Sequence, residues 1–165
     1  MAKLVLIRVD FRMIHGQVAT TWVTSTGATK VIVMNDDVAG DKSQKTIMQL
    51  SVGAGVKLRL WTIDRGVEEW KTDQFGKGKV IVIFREIEDA YKAYNMGFEF
   101  PKLNVGQVPM QEGKNRRHAV GTINLNDEEF DMLTDLHNKG VEVYNHQTIT
   151  DAKYPYDEIK KAMGR

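Results

Sequence analysis

Four side chains suited to phosphoryl transfer fall within eight residues near the start of the chain: Arg8, Asp10, Arg12 and His15. A neutral imidazole nitrogen is a nucleophile toward phosphorus, and an arginine guanidinium presents paired N–H groups to phosphate oxygens. A carboxylate beside them can orient an arginine or accept a hydrogen bond from the imidazole. These residue types therefore predict a site at which a histidine is phosphorylated.

His15 stands directly before a stretch that is predicted to be helical, with Val18, Trp22 and Ser25 on one face. The first N–H groups of a helix have no partner within it and carry partial positive charge, so an anion is favoured there. An ordinary interpretation also exists, because a histidine near a helix start is more often a capping or surface residue. The three charged neighbours at the same strand end favour the functional interpretation.

Short apolar segments alternate with helical patterns along the chain. The segments are rich in Val, Ile and Leu and short enough to be strands: residues 3–9, 30–34, 56–63, 79–84, 102–105 and 141–144. Capping pairs mark helix starts, as Asp41 with Gln44 and Asn126 with Glu129. This alternation predicts an α/β domain with a mostly parallel open sheet and helices on both faces.

The pattern of each strand predicts its place in the sheet. The first and fourth strands are apolar on both sides and are expected at the centre, whereas residues 56–63 alternate and suit an edge. The order 3-2-1-4-5, with later strands added at the edge, satisfies these patterns. Ligands bind beyond the carboxyl ends of strands where the winding direction reverses. That point then lies between the first and fourth strands, which adds Arg85 to the site.

Other polar groups are weaker candidates. The least regular part of the chain, residues 106–124, holds a basic cluster of Lys114, Arg116, Arg117 and His118. This cluster is either a solvated loop or a docking patch, at the rim of the site, for a negatively charged partner. Of the remaining histidines, His137 at a helix end is taken as structural, and His146 has no evident ligand partner.

Composition limits the function further. The chain has 165 residues, with 23 basic and 22 acidic side chains, so nothing in its net charge points to nucleic acid as a partner. The absence of cysteine excludes thiol catalysis, and we expect neither a metal nor a cofactor. The length predicts one domain over residues 1–165. No apolar run approaches the ~20 residues of a membrane span, so we expect no direct membrane insertion.

Residues 8–18, RVDFRMIHGQV, resemble the active-site signature of the IIB component of the sugar phosphotransferase system, mannose/fructose/sorbose family. The resemblance continues in Asn35-Asp36-Asp37-Val38, in Lys45-Thr46 and in Asn104-Val105-Gly106, and so covers essentially the whole chain as a free-standing IIB subunit. The sequence departs from the family pattern directly after this last run, where Gln107, Val108 and Pro109 follow and another small residue is expected. The resemblance implies a parallel α/β sheet.

The resemblance also assigns roles. It implies that His15 is phosphorylated on the ring nitrogen nearer the backbone, that Arg12 stabilises the phosphate, and that Asp10 is the acidic residue of the loop. Arg8 matches as well, although a structural ion pair at the strand end is an equally good role for it. The residues assigned to phosphate binding are Arg8, Arg12, Gly16, Gln17 and Arg85.

The function that follows from the resemblance is that of a protein-N(π)-phosphohistidine–sugar phosphotransferase. The IIA component passes a phosphoryl group to His15, which delivers it to a sugar held by the membrane components IIC and IID. A mannose-family sugar is expected, with a slight preference for an amino sugar such as N-acetylgalactosamine. We expect a cytoplasmic protein held at the membrane by the permease subunits. The sequence is also compatible with a homodimer and does not decide the oligomeric state. The alternative is a non-catalytic α/β regulatory module that binds a phosphorylated metabolite or partner.

Overall fold

Strands and helices alternate along the chain as its apolar periodicity predicts. The computed structural model describes the backbone of all 165 residues and every side chain except those of Gln17 and Val18. The strands are β1 (Lys3–Asp10), β2 (Lys30–Met34), β3 (Lys57–Trp61), β4 (Lys79–Phe84), β5 (Lys102–Gln107), β6 (Arg117–Val120), β7 (Ile123–Leu125), β8 (Glu142–His146) and β9 (Lys153–Pro155). The helices are α1 (Gly16–Thr26), α2 (Lys42–Val52), α3 (Ile63–Asp73), α4 (Ile87–Asn95), α5 (Asp127–Asn138) and α6 (Tyr156–Ala162).

Seven strands form one mostly parallel sheet in the order β3-β2-β4-β1-β5-β8-β9, in which only the β8–β9 pair is antiparallel. The strands β6 and β7 pair separately as an antiparallel hairpin. Helices α1 and α2 pack on one face of the large sheet and α3 to α6 on the other, so the apolar core has two layers. The predicted α/β class, with a mostly parallel open sheet and helices on both faces, is confirmed.

The predicted order of the central strands is wrong at one place. β4 lies between β2 and β1, so the order is 3-2-4-1-5 rather than 3-2-1-4-5. Both strands are buried along most of their length, and their apolar patterns therefore do not distinguish the two central positions. The connection from β1 passes β4 to reach β2, whereas that from β5 leads away to β8. The neighbours whose connections diverge are therefore β1 and β5, and the expected crevice moves there.

Side chains fix the helix ends as the sequence predicts. The Asp41 carboxylate accepts a hydrogen bond from the Gln44 N–H at the start of α2. Asn126 and Glu129 form a reciprocal capping box at the start of α5, which satisfies N–H groups that have no partner inside the helix. Among the described residues, no helix has the length and apolar character needed to cross a bilayer.

The basic cluster differs from its prediction. Arg116 is buried, and its guanidinium forms a two-pronged ion pair with Glu129, with N–O distances of 3.0 and 2.7 Å, and a third contact with Glu86 at 3.4 Å. Arg117 lies at the surface and pairs with Asp127 at 3.0 Å. The docking prediction is therefore wrong for Arg116, because its charge is already neutralised inside the protein. Charge pattern along a sequence does not show which arginine will find buried carboxylates.

Arg116 and its neighbour provide a matched test of burial. Replacing Arg116 with Ala leaves the buried Glu129 without its cation, and we expect a loss of about 3–5 kcal/mol in the free energy of unfolding. Arg117→Ala removes an exposed ion pair and one hydrogen bond to the Met163 carbonyl, and it should cost about 1–2 kcal/mol. Urea unfolding of both variants measures the difference. Equal losses would show that Arg116 is no more important to the fold than a surface arginine.

Candidate active site

Asp10 is the centre of a buried ionic cluster at the carboxyl end of β1. Its side chain is only 2% exposed, and one of its oxygens accepts hydrogen bonds from the backbone N–H of Arg12 at 2.9 Å and from Arg12 Nε at 3.3 Å. Its other oxygen accepts from Arg12 Nη2 at 3.3 Å and from Arg8 Nε and Nη2 at 3.4 and 3.3 Å. One carboxylate therefore orients two arginines at once.

The two arginines differ in their access to solvent. Arg8 is 2% exposed, whereas the Arg12 side chain is 29% exposed. Burial lowers the pKa of the Arg8 guanidinium, and the Asp10 carboxylate opposes that shift; an arginine stays charged in either case. The geometry thus supports the ion-pair role for Arg8, and Arg12 is the more accessible of the two arginines.

Backbone contacts hold the loop that follows Asp10. The Met13 N–H donates to the Asp10 carbonyl at 2.8 Å and closes a tight turn, with Met13 itself at a φ of 60°. The Phe11 N–H donates to the Gln107 carbonyl at 3.0 Å, which ties the loop to the end of β5. The departure from the family pattern at Gln107 therefore lies directly beside the candidate site, and it leaves this backbone contact intact.

His15 occupies the N-cap position of α1, where its side chain is exposed and makes no capping hydrogen bond. Gly16 follows at a φ of 45°, a left-handed conformation that favours glycine, and a Cβ there would meet no neighbour. The demand for glycine is thus conformational. The sequence-based assignment of Gln17 to phosphate binding falls on a side chain outside the described residues.

The start of α1 also differs from the other helix starts in charge. Of the six helices, α1 alone has no carboxylate at its N-cap or in its first turn; α2 has Asp41, and α3 to α6 carry acidic residues there. Acidic side chains normally offset the positive end of a helix. At α1 no acidic side chain of the helix start does so.

Arg85 lies on the opposite side of the loop from β5. Its guanidinium carbon is 4.8 Å from the centre of the Phe11 ring, and its Nε is buried without a hydrogen-bond partner in the described part of the chain. The side chain is 28% exposed. Arg85 therefore contacts the candidate loop through Phe11, as expected for a residue leaving β4, and its Nε lies 3.9 Å from a carboxylate oxygen of Glu86.

The structure brings in further residues that the sequence did not assign to the site. Trp22 of α1 covers the Arg8 guanidinium at 5.7 Å, and the His146 carbonyl accepts from Arg8 Nη1 at 2.8 Å. The Gly106 backbone lies against the same guanidinium. Of these residues only Gly106 had a signal in the sequence, through its place in the family pattern.

Within the described residues no three His, Asp or Glu side chains come together as metal ligands would. The arrangement offers one free imidazole, one oriented arginine and a helix start for an anion.

The fold and the site together place the chain in a class of α/β domains with solved members. The crystal structure of manxB from Thermoanaerobacter tengcongensis superposes with a TM-score of 0.89 at 26% sequence identity, and the match covers 98% of this chain and 96% of that one. The N-acetylgalactosamine-specific phosphotransferase enzyme IIB component 2 of Escherichia coli K12 is 29% identical over 144 residues, which are 87% of this chain and 90% of that protein.

A longer relative contains the same region. The PTS system mannose-specific EIIAB component of Escherichia coli K12 is 26% identical over 148 residues, which are 90% of this chain but 45% of that protein, so the chain spans about half its length. The family model described as "PTS system sorbose subfamily IIB component" matches residues 4–164. The chain belongs to this family, and the resemblance drawn from residues 8–18 is confirmed.

Proposed function

We propose that this chain accepts a phosphoryl group from the phosphohistidine of a IIA component onto His15 and delivers it to a sugar held by the membrane components IIC and IID. The observation that carries the proposal is the exposed His15 imidazole at the one helix start without a carboxylate, three residues after an arginine that the buried Asp10 orients. Family membership supports the phosphotransferase role in general.

The mechanism follows from these positions. The neutral His15 imidazole attacks phosphorus in line; the new N–P bond forms as the N–P bond of the donor histidine breaks, and the donor imidazole leaves. Arg12 and the N–H groups at the start of α1 hold the equatorial oxygens, which carry the charge throughout, so positioning and electrostatics supply the catalysis. In the second step a sugar hydroxyl attacks the same phosphorus, the His15 N–P bond breaks, and the hydroxyl proton is lost to solvent or a base.

The relatives support a choice of sugar class. We propose a mannose-family sugar, with N-acetylgalactosamine as the first to test, because a relative named for that sugar is 29% identical and matches at nearly full length. The chain would work at the cytoplasmic side of the membrane, held there by the permease subunits. A regulatory module that only binds a phosphorylated ligand is the alternative, and the exposed imidazole at the anion site favours the carrier.

Phosphorylation of His15 is tested by intact mass after incubation with phosphoenolpyruvate, enzyme I, HPr and IIA. The parent protein should gain one acid-labile phosphoryl group, and His15→Ala should gain none because the nucleophile is missing. His118→Ala, which removes another exposed histidine, should be labelled like the parent. A labelled His15→Ala protein would move the site elsewhere, and an unlabelled parent would support the binding module.

The role of Arg12 predicts that Arg12→Lys is not a conservative change. Lysine keeps the charge but loses the two-pronged geometry, and a lost charge-assisted hydrogen bond costs about 1.5–3 kcal/mol. Transfer from phospho-IIA should therefore slow about 10- to 100-fold, measured by rapid quench. Arg65→Lys, on the exposed surface of α3, is the matched control and should transfer like the parent. A rate for Arg12→Lys within twofold of the parent would exclude Arg12 from the mechanism.

A surface next to His15 fits the phosphorylated donor. Helix α1 has no charged residue, and α2 has only Lys42 and Lys45, although charged residues make up 27% of the chain. Ile47 and Leu50 of α2 are 59% and 80% exposed. We call the exposed side of these two helices the α1–α2 face. A second copy of the chain would oppose lysines with lysines, whereas a donor that carries negative charge is complementary. We therefore propose that IIA docks on the α1–α2 face.

A matched pair of threonines tests this docking face. Thr46 of α2 and Thr72 of α3 are both exposed, and each hydroxyl donates to the carbonyl four residues earlier. Thr46→Glu should slow transfer from phospho-IIA several-fold at low salt, with recovery as salt screens the repulsion, and Thr72→Glu should have no effect. Equal behaviour of the two variants would contradict docking on the α1–α2 face. If Thr46→Glu accepts the phosphoryl group from phospho-IIA at the normal rate but fails to deliver it to the sugar, the α1–α2 face contacts the permease instead.

A further inference from the structure

We infer that Asn104 is a positioning residue for phosphoryl transfer, which acts on Arg12 through the His146 carbonyl, Arg8 and Asp10. The inference rests on the proposed function for its effect on rate, while the contacts themselves are independent of it. Asn104 lies on β5, in the crevice between β1 and β5, and is 0% exposed. It therefore cannot meet a substrate, and any influence it has must pass through other residues.

Asn104 extends the pairing of β5 with β8 by means of its side chain. The backbone ladder between these strands ends where Asn104 pairs with Tyr144. Two residues further along β8, the Asn104 side-chain amide forms the hydrogen bonds between the strands. Its Nδ2 donates to the His146 carbonyl at 2.8 Å, and its Oδ1 accepts from the His146 N–H at 3.0 Å. The side chain thus replaces a backbone partner and fixes the orientation of the two peptide groups on either side of His146.

The same His146 carbonyl is the outer anchor of Arg8. Arg8 Nη1 donates to it at 2.8 Å, so this oxygen accepts two hydrogen bonds, one from each donor. The guanidinium lies so close to the Gly106 backbone that a Cβ at this position would overlap it. Trp22 closes the other side and donates from its ring N–H to the Gln147 carbonyl at 3.0 Å.

On its other side, the Arg8 guanidinium fixes the position of the Asp10 carboxylate, which in turn orients Arg12. Arg8 donates twice to one Asp10 oxygen, and Asp10 in turn accepts three hydrogen bonds from Arg12. The contacts run without a break from a buried amide to the half-buried arginine proposed to bind phosphate. If the His146 carbonyl turns away, Arg8 loses its outer anchor, and Asp10 no longer has a fixed place from which to orient Arg12.

The first test compares two buried asparagines that join the same strands. Asn145 of β8 is 1% exposed and donates to the Val105 carbonyl at 2.7 Å and to the Gly106 carbonyl at 3.3 Å, but it forms no hydrogen bond with Arg8, Asp10 or Arg12 in the described structure. In single-turnover transfer from phospho-IIA, Asn104→Ser should lower the rate at saturation about 10-fold and leave the half-saturating concentration unchanged. Asn145→Ser should leave both within twofold. Equal rates in the two variants would overturn the inference.

A double-mutant cycle tests the route through Arg8. If Asn104 acts through this arginine, Asn104→Ser should cause no further loss of rate in an Arg8→Met background; losses that multiply would overturn the inference. The ¹H–¹⁵N signal of Arg12 Nε–H gives a readout that does not need transfer or a folded double variant. It should move in Asn104→Ser and stay in Asn145→Ser, and a signal unchanged in both would contradict the inference. If the Arg12 Nε–H signal moves in Asn104→Ser but the parent protein never accepts phosphate at His15, the proposed function is wrong while the positioning of Arg12 by Asn104 still holds.

Discussion

The contact on which the rest of the site depends is the buried pair of Asp10 with Arg8. Desolvating two charges is costly unless the pair is close and its remaining hydrogen-bonding groups are satisfied, and here the His146 carbonyl and the Arg12 donors complete the set. Removing one partner from such a pair costs about 3–5 kcal/mol. The ends of β1, β5 and β8 and the side of α1 meet around this pair, so the strand order, the glycine at position 106 and the tryptophan on α1 are all tied to it.

The groups that fix the geometry of the site are distinct from the group proposed to react. The charges that set the geometry are buried, while His15, the group proposed to carry the phosphoryl group, is exposed at the start of α1 with no side-chain capping bond to break. A preorganised arginine needs little reorganisation when charge arrives. An exposed imidazole can meet two successive partners, the donor and the acceptor, from the same position. The proposed α1–α2 face extends from this position along two helices whose only carboxylate is that of Asp41, the N-cap residue of α2.

Much of this could be predicted from sequence, because the signals are local. The residue types at positions 8–18, the capping pairs at α2 and α5, and the apolar periods of the strands each depend on neighbours in the chain, and the structure confirms the elements they predict. The order of β1 and β4 could not be predicted, since both are apolar on both sides. The burial of Arg116 and the link from Asn104 to His146 depend on partners 13 and 42 residues away, and no local pattern marks such pairs. With the observed strand order the crevice lies between β1 and β5 instead of between β1 and β4. The sequence-based order therefore placed Arg85 of the β4 end beside β1, and it gave no reason to expect the His146 carbonyl there.

The most direct test of the account is the ¹H–¹⁵N spectrum of the arginine Nε–H groups before and after phosphorylation by phospho-IIA. If Arg12 binds the phosphoryl group on His15 while Arg8 stays locked between Asp10 and His146, the Arg12 signal should move on phosphorylation and the Arg8 signal should stay in place. A protein that is phosphorylated at His15 and shows an unmoved Arg12 signal, or an Arg8 signal that moves as far as that of Arg12, would contradict the account.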